Sequence, residues 1–369
     1  MTMREKLKYC ENPVYAPDYF RTVAGIDKLN FQVKILYGDY IKFYNKNLLN
    51  GNNLVNDRDL EFISQNKQYT IFRLNISSNS KGSARYGTPP DYFGFIKFKN
   101  LNLDDNLDFI AIEINAVILK FYTVMQIKEF IQEKIESYGF EYIHDKISRL
   151  DVNIYLLGFD FSTLNDEYFS VPSKESNQRK NNFIPNTFYF GSRSSNTVQL
   201  KIYNKWKELR DTKQELKQDL LIQKFKALGI DDPLSYPLWN IEFEIRREKL
   251  KQYSISNLTN VDKCVNALFN DLMKRFRMLE KPTPITDNNR NRVKNHFIWD
   301  YLVSNYDYNS LNAEDINYIK AKKYKKDFNW LQNRIKEFLE ENREEQYYYK
   351  ADFLSSEYLE KLKYLLNAS

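Results

Sequence analysis

Three segments of this chain alternate apolar and polar residues with a period of two, and no other feature restricts its fold as much. In Ser148-Arg-Leu-Asp-Val-Asn-Ile-Tyr155, Leu150, Val152 and Ile154 fall on one face of an extended strand, and Arg149, Asp151 and Asn153 on the other. In Val198-Gln-Leu-Lys-Ile-Tyr-Asn204 the apolar set is Val198, Leu200 and Ile202, opposite Gln199, Lys201 and Tyr203. In Ile241-Glu-Phe-Glu-Ile-Arg246, Ile241, Phe243 and Ile245 oppose Glu242, Glu244 and Arg246. Strands of this kind belong to antiparallel sheets with one covered face.

Weaker alternation predicts further strands over 24–35, 69–76, 92–98, 109–122 and 187–190. A helix follows Thr123, which stands in capping-box spacing with Gln126 ahead of the stripe Val124, Ile127, Ile131 and Ile135, and Gly139 ends it. Residues 165–186, rich in Ser, Asn and Lys, read as a loop, and 205–228 as one long helix stopped by Gly229. From about residue 256 the pattern turns helical. A Pro/Asn-rich stretch, 281–291, reads as a linker to amphipathic helices near 328–344 and 355–366. The expected architecture is α+β: a largely antiparallel, twisted sheet with flanking helices over 1–254, then a helical C-terminal region, 255–369.

The scarce residues remove whole classes of function. Two cysteines (Cys10, Cys264) and two histidines (His144, His296), each pair far apart in sequence, give no disulfide framework, cysteine zinc site or histidine metal centre. No G-x-x-x-x-G-K-[ST] phosphate loop is present. The longest apolar stretch, 109–122, is interrupted by Glu113, Asn115 and Lys120, and the N-terminus carries no apolar signal core. The expectation is a soluble cytoplasmic protein with no membrane partner. With 55 Lys and Arg against 49 Asp and Glu, the net charge of +6 permits a nucleic-acid partner.

If the three alternating strands are neighbours, their polar faces unite carboxylates, cations and one tyrosine. Asp151 and Glu242 are hard oxygen ligands of the kind that hold Mg²⁺ or Mn²⁺. A metal there would polarise a phosphodiester, with Arg149 or Lys201 adding positive charge, and Tyr203 would attack. A phenol, with an ordinary pKa of about 10, needs such surroundings at neutral pH. A solvated face of ordinary surface charge accounts for the same alternation, and Tyr203 is one of 28 tyrosines.

The run Phe188-Tyr-Phe-Gly-Ser-Arg-Ser-Ser-Asn-Thr-Val-Gln-Leu-Lys-Ile-Tyr-Asn-Lys205 resembles the signature of the replication initiation factor (Rep_trans) family, the initiators of rolling-circle plasmids and related relaxases of conjugative elements. The family's Y-x-G-S-R-x-S element and its Tyr-Asp/Asn-Lys triplet are matched there. Its R-[IL]-D strand is matched by Arg149-Leu-Asp151, its acidic strand after a Trp by Trp239-Asn-Ile-Glu-Phe-Glu244, and its N-terminal strand by Gly25-Ile-Asp-Lys-Leu29. Order and spacing agree across about residues 24–250.

The resemblance implies a homodimeric DNA-nicking enzyme that joins the 5′ phosphate to a tyrosine and frees a 3′ hydroxyl for replication or conjugative transfer. Carried onto this chain, it makes Tyr203 the nucleophile, Asp151 and Glu242 metal ligands, and Arg193 and Lys205 phosphate contacts. Two positions depart from the pattern. Tyr155 stands where many members have a second Asp, and Asn240 where many have Arg; Glu244 is the candidate compensating ligand. Ile41-Lys-Phe-Tyr-Asn-Lys46 nearly repeats Leu200-Lys-Ile-Tyr-Asn-Lys205, by internal duplication or by chance, but lacks the Gly-Ser-Arg element, so Tyr44 is assigned to structure.

Lys201, Arg149 and Arg246 on the polar faces are further DNA contacts, as are Arg290, Arg292 and Lys294 in the basic run 274–294. A second basic cluster is Lys322, Lys323, Lys325 and Lys326, and the acidic and aromatic tail reads as a dimer contact or a dock for a host helicase. A tyrosine recombinase, the rival within nucleic-acid enzymology, needs an Arg/His/Arg set around its tyrosine, and neither of the two histidines stands in a suitable H-x-x-R. A sequence-specific DNA-binding protein without cleavage activity is the alternative from another class.

Overall fold

The computed structural model describes residues 20–48, 60–75, 92–100, 108–120, 122–172, 176–181, 184–191, 198–287 and 289–308. The expected tail helices, the cluster at 322–326, and Arg193 lie outside them. No helix among the described residues is long and apolar enough to cross a membrane.

The first half of the fold is β1 (Arg21–Lys34), helix α1 (Tyr37–Phe43), β2 (Leu60–Gln65), β3 (Tyr69–Asn75), β4 (Tyr92–Lys99), β5 (Phe109–Ile114) and α2 (Val124–Ser137). The second is β6 (His144–Leu157), the short β7 (Phe169–Ser170), β8 (Ser176–Asn181), β9 (Ile184–Phe190), β10 (Val198–Asn204), helices α3 (Lys205–Asp211) and α4 (Glu215–Ala227), β11 (Leu238–Arg246), α5 (Arg247–Lys251) and α6 (Val261–Arg275). After these come β12 (Arg277–Met278), which pairs with β7, and α7 (Phe297–Ser304). Ten strands form one antiparallel sheet in the order β2-β3-β4-β5-β1-β6-β11-β10-β9-β8. The α+β architecture is therefore the one the alternation predicts.

That order contains a repeat. In each half a long first strand is followed by a four-strand meander whose last strand returns to pair with the first, β5 beside β1 and β11 beside β6. A long helix comes after each meander, α2 in one half and, beyond the short α5, α6 in the other. The halves join where β1 and β6 pair antiparallel, from Arg21 opposite Leu157 to Lys34 opposite His144. The period-two pattern decides which face each strand buries: Leu29, Phe31 and Val33 of β1 and Leu150, Val152 and Ile154 of β6 point into one core. Ile127, Ile131 and Ile135 of α2 and Leu268, Phe269 and Leu272 of α6 cover that face.

The described residues after 254, up to 308, share this core. Phe269 and Phe276 pack edge-on against Phe243 of β11, and Trp299 of α7 is fully buried. The stretch 281–291 is folded back rather than extended as a linker: Leu279 bridges to Asn295, and Arg290 is buried.

The other differences from expectation have local causes. The reciprocal Thr123–Gln126 cap forms as its spacing requires. The strand expected to run to 122 stops at Ile114, because the Asn115 side chain accepts from the Val117 backbone N–H and turns the chain into a 3₁₀ turn, Ile118–Lys120. The long helix expected over 205–228 breaks after Asp211, with Lys213 at φ 52°. The turn brings Leu221 and Phe225 back over Trp206 and Leu209, onto Tyr155, Leu157 and Leu238 of the sheet's polar face. Part of the expected loop 165–186 is β8, held by backbone pairing to β9. Residues 41–46 continue α1 into a π-turn, where Tyr44 stacks on Tyr40; its surroundings differ from those of Tyr203.

Candidate active site

The polar faces of β6, β11 and β10 meet, because these strands are consecutive in the sheet. Lys201 lies opposite Glu242, and Tyr203 opposite Asn240; on the other side Glu242 faces Asn153 and Glu244 faces Asp151. The face is not solvated. Asp151, Asn153, Asn240, Glu242 and Glu244 are all buried, which makes the cluster a polar interior that must satisfy its own hydrogen bonds. A fourth strand contributes Asp27, the extra residue of a β-bulge between Ile26 and Lys28.

Tyr203 is half-buried at the centre. Its hydroxyl donates to Glu242 Oε2 at 2.9 Å and accepts from Asn240 Nδ2 at 2.8 Å. Lys205 Nζ lies 3.5 Å from the same oxygen and 5.3 Å from the ring centroid. Burial, then the negative charges of Glu242 and Asp27, holds the phenol pKa well above its ordinary value. Tyr203 is therefore a neutral phenol at rest, with a carboxylate placed to take its proton.

The departures from the family pattern are both used. Tyr155 donates to Asp27 Oδ1 at 2.9 Å, and Lys120 binds the same oxygen at 3.0 Å. Lysine charges hold the Asp27 carboxyl far below its ordinary range despite burial. Asn240, fixed by Asn153 at 2.9 Å, places its amide nitrogen on the phenol oxygen. Sequence reasoning did not assign Lys120, Asn153, Tyr155 or Asn240 a role in the site. The period-two rule puts Asn153 and Tyr155 on the polar face, but nothing in the sequence points to Lys120, 94 residues from the Ile26 carbonyl it also binds.

The expected metal ligands lie side by side. Asp151 is chelated by Arg149, which also reaches Glu244 Oε2 at 2.7 Å, and Lys201 Nζ lies 2.9 Å from Glu242 and 2.8 Å from Glu244. With Glu208, the site's five carboxylates face five cations: Lys120, Arg149, Lys201, Lys205 and Arg246. Burial, joined by repulsion from Glu242 and opposed by Arg149, pushes the Asp151 carboxyl up to about 6. Among the described residues no three acid, histidine or cysteine side chains are grouped to hold a metal by themselves. A divalent cation bound through one or two of these hard-oxygen carboxylates together with a substrate phosphate would have to displace Arg149, Lys201 or Arg246 from them.

The remaining expected contacts separate. Lys205 is buried beneath Tyr203 and paired with Glu208 at 3.0 Å, so it supports the phenol from within the fold and is not placed to meet a phosphate. Arg290, expected as a DNA contact, donates to the backbone carbonyls of Thr283, Asp166, Glu167 and Phe169. Both its terminal nitrogens are engaged, and it ties the 277–295 segment to β7. Arg292 and Lys294 are exposed, and Lys294 lines a shallow hollow of about 540 Å³ with Lys274, Arg277 and Asp300. Arg246 is partly exposed at the mouth of the carboxylate cluster, on Glu244.

No family model and no curated protein matches this chain. Among solved structures it is similar to a rolling circle replication initiator protein from Geobacillus stearothermophilus, at 14% identity and a TM-score of 0.40, over 77% of this chain and 96% of that one.

Proposed function

We propose that this chain is a DNA-nicking enzyme of the rolling-circle initiator type, in which Tyr203 attacks one strand and carries the 5′ end as a phosphotyrosyl ester. The observation that carries this reading is the Tyr203 hydroxyl held between Glu242 as acceptor and Asn240 as donor, inside a buried and charge-balanced polar cluster. A merely structural tyrosine does not need a carboxylate, an amide and a buried lysine around its oxygen. The resemblance of 188–205 to the initiator signature supports the same assignment.

In the proposed reaction the phenol oxygen forms a bond to phosphorus as its proton passes to Glu242. The phosphorus–O3′ bond breaks, and the departing 3′ oxygen takes a proton from solvent. Asn240 fixes the attacking oxygen, and Lys205 beneath the ring offsets charge developing there. Lys201 and Arg149 keep the neighbouring carboxylates from repelling the phosphate. Asp151, Glu242 and Glu244 would hold Mg²⁺ or Mn²⁺, which when bound supplies electrophilic stabilisation of the phosphoryl oxygens. The substrate places the protein in the cytoplasm, at a replication or transfer origin.

The test is a covalent adduct that survives denaturing electrophoresis, formed with supercoiled or single-stranded origin DNA and Mn²⁺. The adduct should appear with the parent chain and vanish in Tyr203→Phe. An adduct that persists in Tyr203→Phe removes the nucleophile. A mobility shift with no adduct from the parent favours the DNA-binding protein without cleavage activity.

A further inference from the structure

The repeat in the sheet extends to individual side chains. Aligned by their pairing registers, β4 matches β10 and β5 matches β11: Lys97-Phe-Lys-Asn100 overlays Lys201-Ile-Tyr-Asn204, and Ile110-Ala-Ile-Glu-Ile114 overlays Ile241-Glu-Phe-Glu-Ile245. The ion pairs follow. Glu113 holds Lys97 at 2.8 Å and Lys28 at 2.7 Å, as Glu244 holds Lys201 at 2.8 Å and Arg149 at 2.7 Å. The reactive positions do not follow: Lys99 stands in place of Tyr203, and Ala111 in place of Glu242. The first half therefore keeps the charged scaffold of the site, lacks nucleophile and proton acceptor, and carries an added cation. The counterpart of Tyr203 is Lys99, and the near-repeat at Tyr44 is unrelated to it.

What replaces the chemistry is aromatic. Tyr92, Phe95 and Phe109 are half-exposed here, with the Arg73 guanidinium 5.2 Å from the Tyr92 ring and the Lys99 ammonium 6.0 Å from that of Phe109. A groove of about 610 Å³ runs from Asp27, at the edge of the Tyr203 cluster, to Tyr92 and Phe95, with Lys213 of the α3–α4 turn and Lys217 of α4 on its other wall. Rings that stack bases beside cations that meet phosphates are the means by which proteins hold single strands without reading sequence.

We propose that the first half of the sheet is a second, non-cleaving copy of the strand-binding face, and that its groove holds the single-stranded DNA flanking the nick. This rests on the nicking reading only for the strand's origin, since the rings and lysines would bind a single strand regardless. The groove is continuous with the site through Asp27; its lining sets Lys28, Lys213 and Lys217 against Asp27, Glu113 and Glu215, and Lys217, in no ion pair among the described residues, is the lysine left to meet a phosphate.

The experiment uses the full chain carrying Tyr203→Phe and a fluorescent oligothymidylate of about 20 nucleotides, with affinity read by anisotropy. Phe95→Ala is expected to weaken binding about tenfold, the worth of one stacked base. Phe62→Ala, which removes an exposed ring from β2, should leave it unchanged. Equal losses in the two variants, or none in Phe95→Ala, overturn the proposal. Ultraviolet cross-linking of the same probe to the chain with its rings unaltered gives an answer even if Phe95→Ala fails to fold. Adducts on Tyr92–Lys99 support the groove, and adducts confined to β10 and β11 refute it. A parent chain that forms no tyrosyl adduct yet loses affinity in Phe95→Ala retires the nicking reading alone. An adduct-forming parent whose Phe95→Ala variant binds normally retires only the groove.

Discussion

Glu242 accepts the Tyr203 hydroxyl hydrogen at 2.9 Å across neighbouring strands, while its other oxygen holds Lys201 at the same distance. One carboxylate thus combines a proton-accepting oxygen with one anchored by a cation. Glu242→Gln keeps the shape and removes the basicity. Adduct formation should fall by about 10² to 10⁴, the usual worth of a general base. The variant should still bind the DNA strand, and single-turnover cleavage alongside anisotropy separates the two effects. Undiminished cleavage would show that the phenol proton leaves another way.

Gly25 lies under this cluster, where an added Cβ would stand 3.0 Å from Lys120 Nζ and 3.3 Å from Asn153 Oδ1. Gly25→Ala should push the ammonium off Asp27 and disturb the amide that orients Asn240. A stability loss of about 1 kcal/mol is expected, with a larger loss of adduct yield. Urea unfolding measured beside the cleavage assay checks both, and a variant equal to the parent in each would remove Lys120 from the site's support.

The basic segment 274–294 should divide on mutation. Arg290→Ala abandons carbonyls of four residues inside the fold and is expected to cost about 2–4 kcal/mol of stability. Arg292→Ala and Lys294→Ala, both exposed, should leave stability within about 0.5 kcal/mol. Each should lower the salt dependence of duplex binding by about one counter-ion. Thermal melts and binding at graded salt distinguish the two classes; a salt slope unaltered by Arg292→Ala and Lys294→Ala would take this surface out of DNA recognition.

Asp151 gives a pH signature of definite sign. Its folded carboxyl titrates near 6, above an unfolded value of 3.8, so between those limits the folded chain binds the extra proton. This group's contribution therefore declines as pH rises from about 4 to about 6. Asp27, with its pKa lowered, acts oppositely: its contribution is present above the unfolded value and lost as pH falls below it. Relative to the parent, Asp151→Asn should gain stability on going from pH 4 to pH 7. Urea midpoints at the two values read this directly, and a relative loss would reverse the assignment.

Much of the sheet could be read from side-chain alternation. Leu150, Val152 and Ile154 face the core as their spacing demands, and Thr123 and Gln126 close the cap that their separation announces. The edge strands could not: β2 is exposed except at Leu60, and β8 lies in a polar stretch without clear alternation. Asp151, Tyr203 and Glu242 could be placed together because they sit on strands that turn out to be close neighbours. Lys120 and Asp27 enter through a turn and a bulge, local irregularities that bring together residues 93 positions apart. Arg290 faces inward because four carbonyls draw its guanidinium into the fold, which a run of basic residues such as 274–294 does not announce.

The seam between β1 and β6 has a consequence for how the chain can be assembled. Each half owns a complete meander, and fourteen-residue strands from both sides form their join. A chain severed between Gly139 and Ile143, in the connection ahead of β6, leaves both meanders whole. Co-expressed as two polypeptides, the fragments should recombine along that seam, with the polar cluster re-formed only when Asp27 from one piece meets Tyr155 and Asn240 from the other.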